Sequence, residues 1–218
     1  MDYLKNHILH HIRDREFRNS TILAALFLGI ALVCNFYAGS YATRQASNAV
    51  TDIILDNIPV FNVSFVFIYG TLLWWTCLIL VLIAKPTRIP FTLKSISLFI
   101  LVRSVFVMLT HIAPAQGHLI LPLNNPLDDF TFGGDLFFSG HTGLPFLMAL
   151  LFWELKFYRY AFLASSVIFA VVVLLGHIHY SIDVLGAYFI TYTIFHMCEK
   201  FFAKDEVLFK KGISTGQS

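Results

Sequence analysis

Residues 139–183 read SGHTGLPFLMALLFWELKFYRYAFLASSVIFAVVVLLGHIHYSID. Two polar, histidine-bearing strings, "SGHT" at 139–142 and "GHIHYSID" at 176–183, enclose two apolar runs at about 141–157 and 161–177, joined by the basic "KFYRY" at 156–160. Each run is about 17 residues, the lower limit for a helix that crosses a hydrocarbon core of roughly 30 Å. A chain that crosses twice returns to the side it left. The two polar strings therefore lie on one face of the membrane and can meet.

Outward from this stretch the same pattern continues. Further apolar blocks stand at about 21–39, 61–84, 95–112 and 181–199, so six transmembrane helices are predicted. The composition agrees: of 218 residues, 57% are hydrophobic, 16% aromatic and 13% charged, against roughly a quarter charged in soluble proteins. So little charge, with a formal net of only +2, excludes a soluble enzyme and a nucleic-acid-binding surface. The fold class is an all-α membrane protein, divided into an N-terminal segment 1–20, a six-helix membrane catalytic domain 21–202 and a tail 203–218. The last residues, "KGISTGQS", read as disordered. "HHIRDREFR" before the first block is too long and charged for a secretory leader, so that block is read as a retained helix. Cys34, Cys77 and Cys198 all fall in apolar blocks and read as packing residues.

Basic residues give the orientation. Lys5, Arg13, Arg15 and Arg18 precede the first helix, Lys85, Arg88 and Lys94 follow the second, Lys156 and Arg159 follow the fourth, and Lys200, Lys204, Lys210 and Lys211 close the chain. All fall on one side; the other side has only Arg44, and Arg103 lies inside the third helix. Short cytoplasmic segments are enriched in Lys and Arg, so both termini are predicted to be cytoplasmic. The opposite face, which is periplasmic, extracellular or lumenal, collects Asp52, Asp56, Asp128, Asp129, Asp135 and Asp183 together with both histidine strings.

The chemistry of those strings is that of phosphoryl transfer. His179 and Asp183 are four apart, a helical spacing that brings side chains together. A carboxylate on one imidazole nitrogen fixes the tautomer and leaves the other nitrogen as a nucleophile or base. Ser139 stands where a helix N-cap belongs, directly before Gly140, His141 and Thr142. A helix start with a glycine offers unpaired N–H groups and a positive dipole end to an anion. His141 is then placed to protonate a leaving oxygen. His179 is the predicted nucleophile, Asp183 its orienting acid and His141 the acid and base; no metal or cofactor is required. A buried Arg103 in an apolar helix needs an anion, which a substrate phosphate supplies.

These strings carry a resemblance. "SGHT" followed by His-x-x-x-Asp resembles the type-2 phosphatidic acid phosphatase superfamily, and the fuller "GDLFFSGHT" and "HYSIDVLGAY" resemble its sphingomyelin synthase branch. The resemblance implies a six-helix bundle that transfers a phosphocholine- or phosphoethanolamine-type head group from a glycerophospholipid to a ceramide- or diacylglycerol-like acceptor through a phosphohistidine. It implies the same roles for His141, His179 and Asp183, with Arg103, Asp135, Ser139, Gly140, Thr142 and Tyr180 at the substrate. The broader superfamily has an arginine six residues before its second histidine, where this chain has Val173; Lys94 and Arg103 do not reproduce its Lys-x6-Arg-Pro block; and Gly133 replaces a cysteine common in the synthases.

The implied partners are membrane lipids as substrates, with oligomeric state left open. The alternative is a lipid phosphate phosphatase or phospholipase C-type hydrolase using water as acceptor. A histidine-ligated metal site built from His141, His177, His179 and Asp183, and a proton-coupled transporter, are rivals from other classes. Full activity in EDTA separates the first, and polar groups at mid-membrane are required by the second. His177, two residues from His179, reads as supporting structure.

Overall fold

The computed structural model describes residues 14–119 and 136–211, and among these residues the regular structure is all helical, with no strand. Helix α1 is Arg15–Gln45, α2 Ser64–Ala84, α3 Ile89–Leu109, α4 Gly140–Leu151, α5 Lys156–Leu175, α6 Ser181–Phe201 and α7 Ala203–Lys211. Short 3-10 turns lie at Leu55–Asn57 and Pro86–Arg88.

Helix α1 is longer at both ends than the apolar block at 21–39. Asp14 caps its start, accepting the Phe17 N–H at 2.7 Å, so the polar REFRNS stretch is recruited into the first turns. Ala24, Ala31 and Ala38 recur every seven residues, with Gly39 and Ala42 beside them, and all are buried. Small side chains let two helix backbones approach closely in a bilayer, and α1 packs chiefly on α3.

Four segments, α1, α2, α3 with its preceding turn, and α5, are long and apolar enough to cross a membrane, as in a multi-pass membrane protein. The predicted fourth and sixth spans fall short of that measure for different reasons. Helix α4 has 12 residues, about 18 Å of helix, because the chain turns at Phe152–Leu155 where Glu154 and Lys156 introduce charge. Helix α6 has 21 residues but carries Asp183 in its first turn and Lys200 in its last. Outward-facing apolar side chains such as Leu26, Ile30, Phe65, Leu73, Val167 and Phe189 are exposed around the bundle. Water would penalise such a surface, and lipid solvates it.

The main core runs between α3, α4, α5 and α6 through Phe91, Phe99, Phe138, Leu147, Met148, Phe152 and Phe162. A second cluster, Phe67, Ile68, Val172, Val173 and Val184, joins α2, α5 and α6. The ends of the bundle differ. At one end α4 and α6 begin, beside the 110–119 loop; at the other, α7 folds back on α3. There Phe209 packs against Phe91 and Phe152 at 5.5 and 5.2 Å between centroids, and the Arg88 guanidinium lies 4.6 Å from the Phe209 centroid. Residues 203–211, read from sequence as part of a tail, thus form a docked helix.

Candidate active site

The chain at 176–183 is shaped by its own backbone. After α5 the peptide turns so that the Ile178 and His179 N–H groups both donate to the Val173 carbonyl, at 2.9 and 3.3 Å. His177 takes a positive φ of 52° to make the turn, a left-handed conformation that histidine tolerates better than most residues. Tyr180 is the N-cap of α6 and Asp183 its third residue. His179 therefore precedes the helix. A capping turn, and not an i,i+4 spacing within a helix, brings His179 and Asp183 together. Asp183 Oδ2 accepts the Tyr180 N–H at 2.9 Å, which holds the carboxylate back toward His179, with Nδ1 to Oδ2 at 3.4 Å. Both side chains are buried, and neither His179 Nδ1 nor Asp183 Oδ1 makes a hydrogen bond among the described residues. The pair is a close contact at 3.4 Å here, not the aligned hydrogen bond expected from spacing.

The other half begins at Ser139, the N-cap of α4, whose Oγ accepts the Thr142 N–H at 3.4 Å. The Ser139 N–H donates to the Asp183 carbonyl at 3.2 Å, a direct tie between the two helix starts. Arg103, from the last two turns of α3, donates through Nε to the Phe138 carbonyl at 2.7 Å. A Cβ on Gly140 would sit 3.5 Å from that same nitrogen, an ordinary contact distance, so the Arg103 side chain lies directly against the first turn of α4. The His141 ring packs on Phe67, 4.4 Å between centroids, and it is within coulombic reach of both His179 and Arg103. Pro145 inside α4 has no N–H for the His141 carbonyl four residues before it.

The structure thus gathers His141, His179, Asp183, Arg103, Ser139 and Gly140. Thr142 is buried beside them, its carbonyl accepting the Ser166 hydroxyl at 2.8 Å. Asp135, placed with the substrate from sequence, lies outside the described residues. Tyr180, expected at the substrate, is a brace in the structure: the ring is buried, and its hydroxyl donates to the Ala113 carbonyl at 2.9 Å and accepts the Val50 N–H at 3.2 Å. Burial pushes that hydroxyl above the usual tyrosine range, so it stays a neutral donor. Lys94, whose spacing to Arg103 was weighed against the superfamily block, is at the far end, bound to Asp205 at 2.6 Å and Ser20 at 2.8 Å. Val173 points into the apolar cluster with Phe67 and Val184.

Sequence reasoning missed Asp52, counted only as one acid among several. Its Oδ2 accepts the Ser181 N–H at 2.7 Å and its Oδ1 accepts Ile54 and Leu55 N–H groups at 2.8 and 3.1 Å. Nothing local signals a partner 129 positions away. Ser166, whose hydroxyl also lies 3.3 Å from that of Tyr188, was missed for the same reason. Among the described residues no three His, Cys, Asp or Glu side chains gather as metal ligands do.

No curated protein and no solved structure matches the chain. Residues 133–200, which hold both helix starts, match the family model described as PAP2 superfamily C-terminal. The match shows a likeness to the PAP2 superfamily over that stretch, less than half of the chain, and it does not reach to any branch within it.

Proposed function

We propose that the protein is a membrane lipid phosphotransferase that moves a phosphate-linked head group between lipids through a phosphohistidine on His179. A PAP2 superfamily domain suggests lipid phosphatase or phosphotransferase-type activity. The observation that carries the reading is the Ser139 N–H to Asp183 carbonyl bond. It sets the anion-binding start of α4, with Arg103 against it, beside the His179–Asp183 pair.

With Nδ1 turned to Asp183, Nε2 of His179 holds the free lone pair. It attacks phosphorus while the bond from phosphorus to the donor's alcohol oxygen breaks, and that oxygen takes a proton from His141. The Asp183 carboxylate offsets positive charge on the ring. Arg103 and the first N–H groups of α4 neutralise the phosphoryl oxygens. In the second half, the acceptor hydroxyl gives its proton to His141, its oxygen bonds phosphorus, and the phosphorus–nitrogen bond breaks to restore His179. The "GDLFFSGHT" and "HYSIDVLGAY" strings favour a ceramide- or diacylglycerol-like acceptor. The positive-inside count favours cytoplasmic termini and a site on the opposite face, within six crossings.

Vesicles holding the protein, a glycerophospholipid donor and labelled ceramide or diacylglycerol test this. A labelled phospholipid product is the expected result. Released phosphate or phosphocholine without that product makes the enzyme a hydrolase, and no turnover of any phospholipid overturns both. Activity is expected to be unchanged in EDTA; loss on chelation with recovery on zinc addition would instead favour a metal site.

A further inference from the structure

We propose that Asp52, in the loop between α1 and α2, is a positioning residue that holds the first turn of α6 so that Asp183 faces His179. A helix start leaves N–H groups in need of acceptors, and the hydroxyl of the N-cap Tyr180 is engaged with Val50 and Ala113. Asp183 supplies one acceptor, to the Tyr180 N–H. The Ser181 N–H goes to Asp52 Oδ2 at 2.7 Å. Asp52 is itself immobilised. Its Oδ1 takes the Ile54 and Leu55 N–H groups, its own N–H donates to Asp56 Oδ2 at 3.0 Å, and it is 8% exposed. The neighbouring Val50 N–H reaches the Tyr180 hydroxyl, which continues to Ala113. Two successive residues of the α6 start are therefore pinned by one loop.

Among the described residues the Asp183 side chain accepts one hydrogen bond, from the Tyr180 N–H to Oδ2, and its carbonyl takes the Ser139 N–H. If Ser181 loosens, the turn that holds Oδ2 at 3.4 Å from His179 loosens with it. A carboxylate at a helix start is also favoured by the helix dipole. The catalytic part of this inference rests on the phosphoryl-transfer reading, and the positional part does not.

The test compares wild type, Asp52→Ala and Asp52→Asn in the same vesicles by amide hydrogen exchange, by the NMR titration midpoint of the His179 ring, and by steady-state kinetics. In Asp52→Ala, exchange over 180–184 is expected to rise about tenfold or more with α7 unchanged. The His179 midpoint is expected to move, and kcat to fall about tenfold or more with KM within about threefold. Asp52→Asn keeps one acceptor oxygen and is expected to recover part of each effect; it also carries the test if the alanine variant does not fold. Unchanged exchange over 180–184 overturns the proposal, and so does faster exchange that leaves the His179 midpoint and kcat where they were. If wild type turns over no phospholipid, the phosphoryl-transfer reading fails alone, and the exchange and titration still decide the role of Asp52.

Discussion

At His179 the two ring nitrogens are unequal: Nδ1 stands 3.4 Å from a buried carboxylate, and Nε2 is the proposed nucleophile. Asp183→Asn keeps an acceptor for Tyr180 but loses the charge that offsets an imidazolium. Its turnover is expected to fall on the order of 10²–10⁴-fold in the vesicle assay, with substrate binding little altered. Gly140→Ala is expected to fold normally, since the added methyl meets the Arg103 side chain at an ordinary 3.5 Å. It fills the approach to the α4 N–H groups, so KM for the donor should rise, about tenfold, more than kcat falls. These residues were legible because their chemistry is written in short strings: Ser-Gly-His-Thr and His-x-x-x-Asp name a cap, a glycine and an oriented histidine within a few positions each. What the strings concealed was geometry, since His179 lies before α6 and not on it. The bonds of Tyr180 to Val50 and Ala113 were not legible, because an aromatic residue beside a site looks alike whether it meets lipid or backbone.

At the scale of elements, α4 is held by close approach. A Cβ on Gly143 would lie 2.7 Å from the Phe99 ring and 2.9 Å from Thr191 Oγ1, where α4 meets α3 and α6. Gly143→Ala is expected to destabilise the protein by about 1–3 kcal/mol, read as a lowered thermal midpoint in detergent. The start of α6 gives a pH signature. Burial alone pushes the Asp52 carboxyl up, but its hydrogen bonds from Ser181, Leu55 and Ile54 outweigh that and leave it below the ordinary carboxylate value. A group whose folded pKa is depressed stabilises above its unfolded pKa, about 4. That contribution is lost as pH falls through the lower folded value. Thermal midpoints measured from about pH 6 down to about pH 3 should therefore fall less steeply in Asp52→Asn than in wild type. Apolar periodicity and length gave the existence of the long helices. The ends were set by what periodicity does not record: the Asp14 cap that extends α1, the turn at Phe152–Leu155 that shortens α4, and a loop carboxylate bound to α6.

Over the whole molecule, the two ends of the bundle do different work. Where α4 and α6 begin, the chain gathers the charges of the site. At the far end Lys94 Nζ bonds Asp205 and Ser20, and Ser20 Oγ donates to Asp205, joining α3, α7 and α1. The pair is nearly buried, with side-chain exposures of 14% and 11%, so breaking one side strands a charge. Lys94→Met or Asp205→Leu alone is expected to cost about 3 kcal/mol, and the double variant less than either, by thermal or denaturant unfolding. Activity of the folded fraction should stay near wild type because the site is at the other end. Sequence spacing assigned Lys94 to topology and could not see its partner, 111 positions away. The decisive comparison for the protein as an enzyme is the initial rate of phospholipid head-group transfer or release by His179→Asn against wild type in the same vesicles. Loss of both activities, on the order of a thousandfold or more, is the expected result; turnover within about tenfold of wild type would contradict a phosphohistidine on His179.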